Sequence, residues 1–270
     1  NYIVFYGVPP DQYTCSGLLI RRKYNIVRRN VIYYCDAAGV TLSANSGNQN
    51  CPSSNYVYNN VFFRNGYPLI DDWNPRKTGL MIARWVDSPS YNPITGVAIK
   101  NNIFYQNQLH AIYYYYVDKD DLVVQHNWEE AGDPGFVDIS MQADPFKFNV
   151  FNFHFGSDSP CIDKGGFLTK AVNSGINSTQ LKVEDAGYFF DGFGLTSGDE
   201  IQLEGHTQKA QIASLDYVTN TITLKTPITW NSGIGVSLPY AGQRPDQGVF
   251  EYTNSSTYPP TAPVNLLLLQ

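Results

Sequence analysis

Along the first half of the chain, short apolar runs alternate with Asn, Gly and polar corners, and the pattern recurs. Val27-Arg28-Arg29-Asn30-Val31-Ile32-Tyr33 aligns with Val57-Tyr58-Asn59-Asn60-Val61-Phe62-Phe63, thirty residues later. The same unit returns as Ile99-Lys100-Asn101-Asn102-Ile103-Phe104-Tyr105 and, shortened, as Val124-Gln125-His126-Asn127-Trp128. A second strand type, introduced by glycine, is interleaved with it: Gly17-Leu18-Leu19-Ile20 and Gly39-Val40-Thr41-Leu42. Strands this short, joined by tight corners at a recurring spacing, predict coils stacked at ~4.8 Å with like residues above like. The reading is therefore an all-β chain whose main body is a right-handed parallel β-helix, a short solenoid. Under that register Val27, Val57, Ile99 and Val124 form one inward column, Ile32, Phe62 and Phe104 another, and Asn30, Asn60, Asn102 and Asn127 a ladder. Asn suits such a corner because it tolerates the left-handed conformation and its amide bonds to neighbouring backbone. The apolar, β-prone Asn1–Tyr6 segment reads as an edge strand suited to addition onto a neighbouring molecule.

Period-two alternation replaces the coil pattern further on, in Gln180–Val183, Glu200–Leu203, Gln211–Leu215, Thr221–Leu224 and Gly235–Leu238, with Thr219-Asn220 as a hairpin turn. It predicts a small antiparallel, barrel-like β module over 167–240, inserted near the C-terminus. The remaining organisation is coils and the start of a cap over 1–166, a return to the cap over 241–252, and a Pro-, Ser- and Thr-rich linker or tail over 253–270.

Asp133-Pro134-Gly135-Phe136-Val137-Asp138, Phe153-His154-Phe155, Ser159-Pro160-Cys161-Ile162-Asp163-Lys164-Gly165 and Pro245-Asp246-Gln247-Gly248-Val249-Phe250-Glu251-Tyr252 follow in order. Together they resemble the closing segments of bacterial extracellular right-handed β-helix repeat proteins, the pectate-lyase-like superfamily. That group includes polysaccharide lyases, glycoside hydrolases and uncharacterised surface proteins. The resemblance implies a β-helix, export to the cell surface and a carbohydrate ligand, and departs from the pattern at Cys161, where a small residue such as Ala is more usual. Physically, the closing block reads as a cap over the last coil, whose strand edges and apolar column would otherwise be open. Asp163 and Asp246, beside glycines, read as turn formers.

Charge narrows the partners. The formal net charge is -6 with a pI near 5.1, so no general positive field gathers nucleic acid. The longest uninterrupted aliphatic run, Leu266–Leu269, is far short of the ~18 apolar residues that span a bilayer. Cys15, Cys35, Cys51 and Cys161 show no Cys-x-x-Cys spacing, which argues against thiolate metal sites. One disulfide among the first three fits an exported protein, and buried free thiols are the other reading.

No clustered aspartates with Gly-His-Gly, the equipment of β-helix hydrolases, are present. Lyase chemistry needs a cation to neutralise a uronate carboxylate and a base to take the C5 proton. Stacked repeats place Arg28, Tyr58, Lys100 and Gln125 in one outward row and Arg29, Asn59, Asn101 and His126 in the next. Lys100, Arg29 and His126 are thus the candidate catalytic groups, with Tyr58 beside them as a sugar contact. The excursion from Asn65 to Gly96 adds Trp73, Arg76, Arg84 and Trp85 as substrate-binding candidates, because Trp faces stack on the apolar face of a sugar ring. Tyr114, in Tyr113-Tyr114-Tyr115-Tyr116, is a further contact. No metal centre is assigned and no cofactor is required; Asp118, Asp120 and Asp121 are a candidate calcium ligand set without EF-hand spacing. Two functions follow: an exported surface protein that binds or cleaves an acidic polysaccharide along an outward strip, or a structural subunit of a filament, sheath or spike joined through open β-edges.

Overall fold

The computed structural model describes residues 2–4, 16–44, 51–66, 76–85, 93–140 and 151–253. The chain is all-β and divides into two units, Asn1–Ile162 with Gln247–Gln270, and Asp163–Asp246.

The first unit opens with β1 (Tyr2–Val4), after which strands recur in threes. They are β2 (Leu18–Ile20), β3 (Ile26–Arg28) and β4 (Val31–Tyr33), then β5 (Val40–Ala44), β6 (Tyr56–Tyr58) and β7 (Val61–Phe63). Next come β8 (Thr78–Arg84), β9 (Ala98–Lys100) and β10 (Ile103–Tyr105), then β11 (His110–Tyr115), β12 (Val123–Gln125) and β13 (Trp128–Glu129). Each circuit adds one strand to each of three parallel sheets: A in the order β1-β4-β7-β10-β13, B in the order β2-β5-β8-β11 and C in the order β3-β6-β9-β12. This arrangement is consistent with a β-helix-like solenoid. The N-terminal strand pairs through one edge with β4 of its own chain and stands at the end of sheet A.

The predicted register holds. Val27, Val57, Ile99 and Val124 are successive partners in sheet C, and Ile32, Phe62 and Phe104 in sheet A. With Val40, Leu42, Leu80 and Ile82 of sheet B they form the interior cluster. In-register parallel strands put like on like, so the Phe62 and Phe104 rings stack at 4.7 Å.

Most corners share one pattern: a residue with positive φ, then an Asn. Arg29, Asn59, Asn101 and His126 are left-handed, at φ 51–55°. Asn30, Asn60, Asn102 and Asn127 come next, and each coil's Asn N–H donates to the side-chain oxygen of the Asn in the following coil, at 3.1, 3.0 and 2.9 Å. A second ladder, not read from the sequence, runs Cys35, Asn65, Asn107 after left-handed Tyr34, Arg64 and Gln106. It ends on Glu130, whose carboxylate accepts from the N–H groups of Gln106 and Asn107. At the corner entering sheet B the coils approach closely. A Cβ on Gly39 would lie 2.8 Å from the carbonyl oxygen of Gly79, and one on Gly79 2.9 Å from that of Ala111, which explains the glycine where each of these strands begins.

The closing segments run along sheet A. β14 (Phe136–Asp138) and β15 (Asn152–Phe155) pair antiparallel. Phe153, Phe155 and Cys161, with Phe136, Phe151, Val249, Phe250 and Tyr252, pack on the outer face of sheet A against Val31, Tyr33, Val61, Phe63 and Ile103. Among the described residues they cover a side of the stack, where sheet A carries a second apolar row that includes Trp128 of the last coil.

In the second unit the six strands β16 (Thr169–Lys170), β17 (Gly175–Lys182), β18 (Glu200–Leu203), β19 (Lys209–Asp216), β20 (Thr221–Trp230) and β21 (Gly235–Ser237) form an antiparallel sheet in the order β16-β21-β18-β19-β20-β17. Asp163 and Asp246 hold backbone: Asp246 accepts from the Asp163 N–H at 2.7 Å, and Asp163 accepts from those of Gln243 and Arg244.

Candidate functional site

The two outward rows meet different fates. Arg28, Tyr58, Lys100 and Gln125 are aligned as expected. Tyr58, however, is fully buried, its hydroxyl accepting from the Arg28 guanidinium at 3.0 Å. A polymer on the surface does not reach that ring, so Tyr58 is withdrawn as a sugar contact. In the next row Arg29 and His126 are exposed while Asn59 and Asn101 are buried. The returning chain accounts for this: Asn59 donates to the Gly248 carbonyl, the Gly248 N–H donates to the Asn101 carbonyl at 2.7 Å, and the Gln247 amide donates to the His126 carbonyl. Residues 247–248 therefore lie across the corner between Arg29 and His126. Lys100, half-buried at the end of β9, is not joined with those two into one open strip. Sequence alone misses this because the covering residues lie more than a hundred positions away.

The excursion residues divide as well. Trp73 lies outside the described residues. Arg84 falls on the parity of Leu80 and Ile82, toward the interior at the end of β8. Arg76 is half-buried just ahead of β8, next to Lys77, whose carbonyl accepts from the Leu109 N–H. Trp85 is fixed: its indole N–H donates to Ser43 Oγ at 2.6 Å and its backbone N–H to the Ala44 carbonyl.

Around Trp85 the outer face of sheet B is aromatic. In-register pairing puts Tyr113 beside Met81, and Tyr115 beside Ala83. The Tyr115 ring lies 5.6 Å from Trp85 and 4.5 Å from Tyr116, while His110 lies 5.1 Å from Tyr113. Tyr116, past the strand end, is 51 % exposed. The Tyr113–Tyr116 run alternates as its parity predicts, so Tyr115 faces out with Trp85 and Tyr114 faces in.

Tyr114 instead borders the interior of the last coil. There a cavity of about 680 Å³ is lined by Tyr114, Lys119, Asp120, Leu122, Val124 and Glu129. Glu129 stands in the column of Phe104, a carboxylate where preceding coils place apolar groups. Glu129 keeps exposed surface, and desolvation of its carboxylate against the coil raises its pKa above the ordinary carboxylate value. Burial, then the negative charge of Glu129, pushes the Tyr114 hydroxyl up to about 12. The sign for Glu129 is that the folded state holds its proton more tightly than the unfolded one, so its charge opposes folding as pH rises through the raised value. Glu129→Gln is expected to raise the urea midpoint relative to wild type at pH 8, and the gap is expected to narrow as pH falls toward 4 and Glu129 takes up its proton.

Of Asp118, Asp120 and Asp121, the first has its carboxylate tied into the chain. Asp118 caps a 3₁₀ turn at Lys119–Asp121, its carboxylate accepting from the Asp120 N–H. Among the described residues no group of three His, Cys, Asp or Glu side chains is placed to hold a metal ion. Cys35, Cys51 and Cys161 are buried free thiols, which removes a bridge between Cys35 and Cys51; Cys15 lies outside the described residues. Among the described residues no helix is long and apolar enough to cross a membrane.

No protein-family model, curated protein or solved structure matches the chain.

Proposed function

We propose that the first unit is a right-handed parallel β-helix of the pectate-lyase-like kind, exported to the cell surface, which binds an acidic polysaccharide on the outer face of sheet B. The observation that carries this is the aromatic cluster of Tyr113 and Tyr115 on β11 with Trp85 and Tyr116 just past the ends of β8 and β11, and with Arg76 and Lys77 ahead of β8. Trp85 is held by its bond to Ser43 and by the Tyr115 ring, so little conformational freedom is lost when a sugar stacks there. The cations supply the preference for uronate carboxylates. Binding is favoured over cleavage because the return segment separates Arg29 from His126 and Tyr58 is buried.

Affinity electrophoresis in gels containing alginate, polygalacturonate or chondroitin tests this. Retardation is expected in at least one of the three, without release of unsaturated ends absorbing in the ultraviolet. At ~0.5–1.5 kcal/mol per stacked ring, Trp85→Ala with Tyr115→Ala is expected to weaken binding on the order of tenfold. Migration unaffected by all three polymers, or equal retardation of the double variant, would sink the reading.

A further inference from the structure

The two ends of the coil stack are unlike the middle. Strands of the second coil are buried throughout, whereas β2 and β3 of the first and β12 and β13 of the last are half-buried or exposed along much of their length. At the first-coil end Leu19 is 54 % exposed, and Ile3, Leu18 and Ile20 only partly cover the interior cluster. At the last-coil end is the cavity of Tyr114, Leu122 and Val124. Among the described residues the closing segments pack against sheet A.

Charge at the corner between sheets B and C is segregated to the same two ends. The first coil turns from β2 to β3 through Arg21-Arg22-Lys23-Tyr24, all exposed. The last turns from β11 to β12 through Asp118-Lys119-Asp120-Asp121, also exposed, with Glu129 facing the same cavity. In between, residues 45–55 carry no charged side chain and 85–97 carry only Asp87. One corner of one stack therefore ends cationic on its first coil and acidic on its last.

We infer that copies of this chain associate head to tail, the Arg21–Tyr24 loop of one copy docking in the Asp120–Glu129 mouth of the next. Leu122 and Val124 would receive the methylene stems, and Asp120, Glu129 and the Tyr114 ring the cationic heads. Sheet A sets the spacing, because it carries an extra strand, β1, at the first-coil end. With β1 laid on β13, the sheet B and C edges of the two copies stand two strand spacings apart, about 10 Å. Facing Arg or Lys and Asp or Glu side chains span that gap. Such a contact joins different surfaces and does not close on itself, so it propagates as a filament. It is independent of the aromatic face of sheet B.

Sedimentation velocity of the whole chain across a concentration series tests it. At low salt the wild type is expected to grow in mass with concentration, and to return toward monomer at ~0.5 M salt, where the Debye length falls to a few ångströms. Arg21→Glu/Arg22→Glu/Lys23→Glu and Asp120→Lys/Asp121→Lys each place like charges at the contact, and each is expected to raise the dissociation constant at least tenfold. All five positions are exposed, and circular dichroism should show both variants folded. Mixed in equal amounts, the two are expected to associate again, because every end then meets its opposite. Monomeric wild type at low salt, association indifferent to salt, or a mixture no more associated than its parts would each overturn the inference. Trp85→Ala should leave assembly unchanged while weakening the glycan, which keeps the two proposals separable.

Discussion

Asn60→Ala is expected to be among the most destabilising single changes in the first unit, at about 4 kcal/mol, if each of two or three orphaned buried groups costs 1–3 kcal/mol. Asn60 is fully buried and bonded on both sides. Its amide donates to the Val27 carbonyl and to Asn102 Oδ1, and its own Oδ1 accepts from the backbone and side chain of Asn30. Ala leaves the Asn30 N–H and the Val27 carbonyl without these partners in a space with little room for water. Asn127→Ala, at the half-buried end of the same ladder, is the control. It removes the acceptor of Asn102 and one donor to Ile99, and is expected to cost about half as much by the same accounting. Urea denaturation of both variants measures the difference. Equal midpoints would mean that the ladder is ornamental and that corners are set by φ alone.

Phe62→Ala and Phe63→Ala are expected to cost nearly the same, about 3–5 kcal/mol each. The first result follows from the sequence, since Phe62 lies in an inward column and stacks on Phe104. The second does not. Phe63 alternates outward from the coil, where a solvated strand would lose next to nothing on truncation. It is nevertheless completely buried, with Phe153 at 5.4 Å and Phe151 at 5.7 Å between ring centres. Denaturant midpoints compared across the pair report whether the closing segments cover sheet A in solution. A Phe63→Ala midpoint close to wild type would show that face to be open.

That contrast marks where sequence reasoning stops. The columns of Val27 and Ile32, the Asn30 ladder and the alternating strands of the second unit were legible because each rests on a local period. A column residue needs only its counterpart one coil on, and a hairpin only its turn. The second ladder carried the same signal, Asn65 and Asn107 each five residues after Asn60 and Asn102, and could have been found by extending the repeat. The coverings could not. Gly248 on Asn59, and Phe153 on Phe63, are contacts across 189 and 90 positions with no period linking them. They decided which outward rows remain at the surface.

For the site the division is similar. Trp85 was legible as an aromatic in a long excursion, and Tyr114 as one ring of an alternating run. Only the register of β8 against β11 brings Trp85 to Tyr115 and sends Tyr114 to the interior. Likewise, Arg21–Lys23 and Asp118–Asp121 are plain charge clusters in the sequence; the order of strands in sheets B and C makes them the same corner at opposite ends.

By itself, then, the amino-acid sequence determined the repeating strands, their inward columns and the Asn corners, because backbone geometry and side-chain parity act over a few residues and repeat. The tertiary structure alone decided what lies over each outward row, how exposed the two ends of the stack are and which charges face along it. Those outcomes depend on distant segments competing for the same apolar surface, and no local pattern encodes the winner.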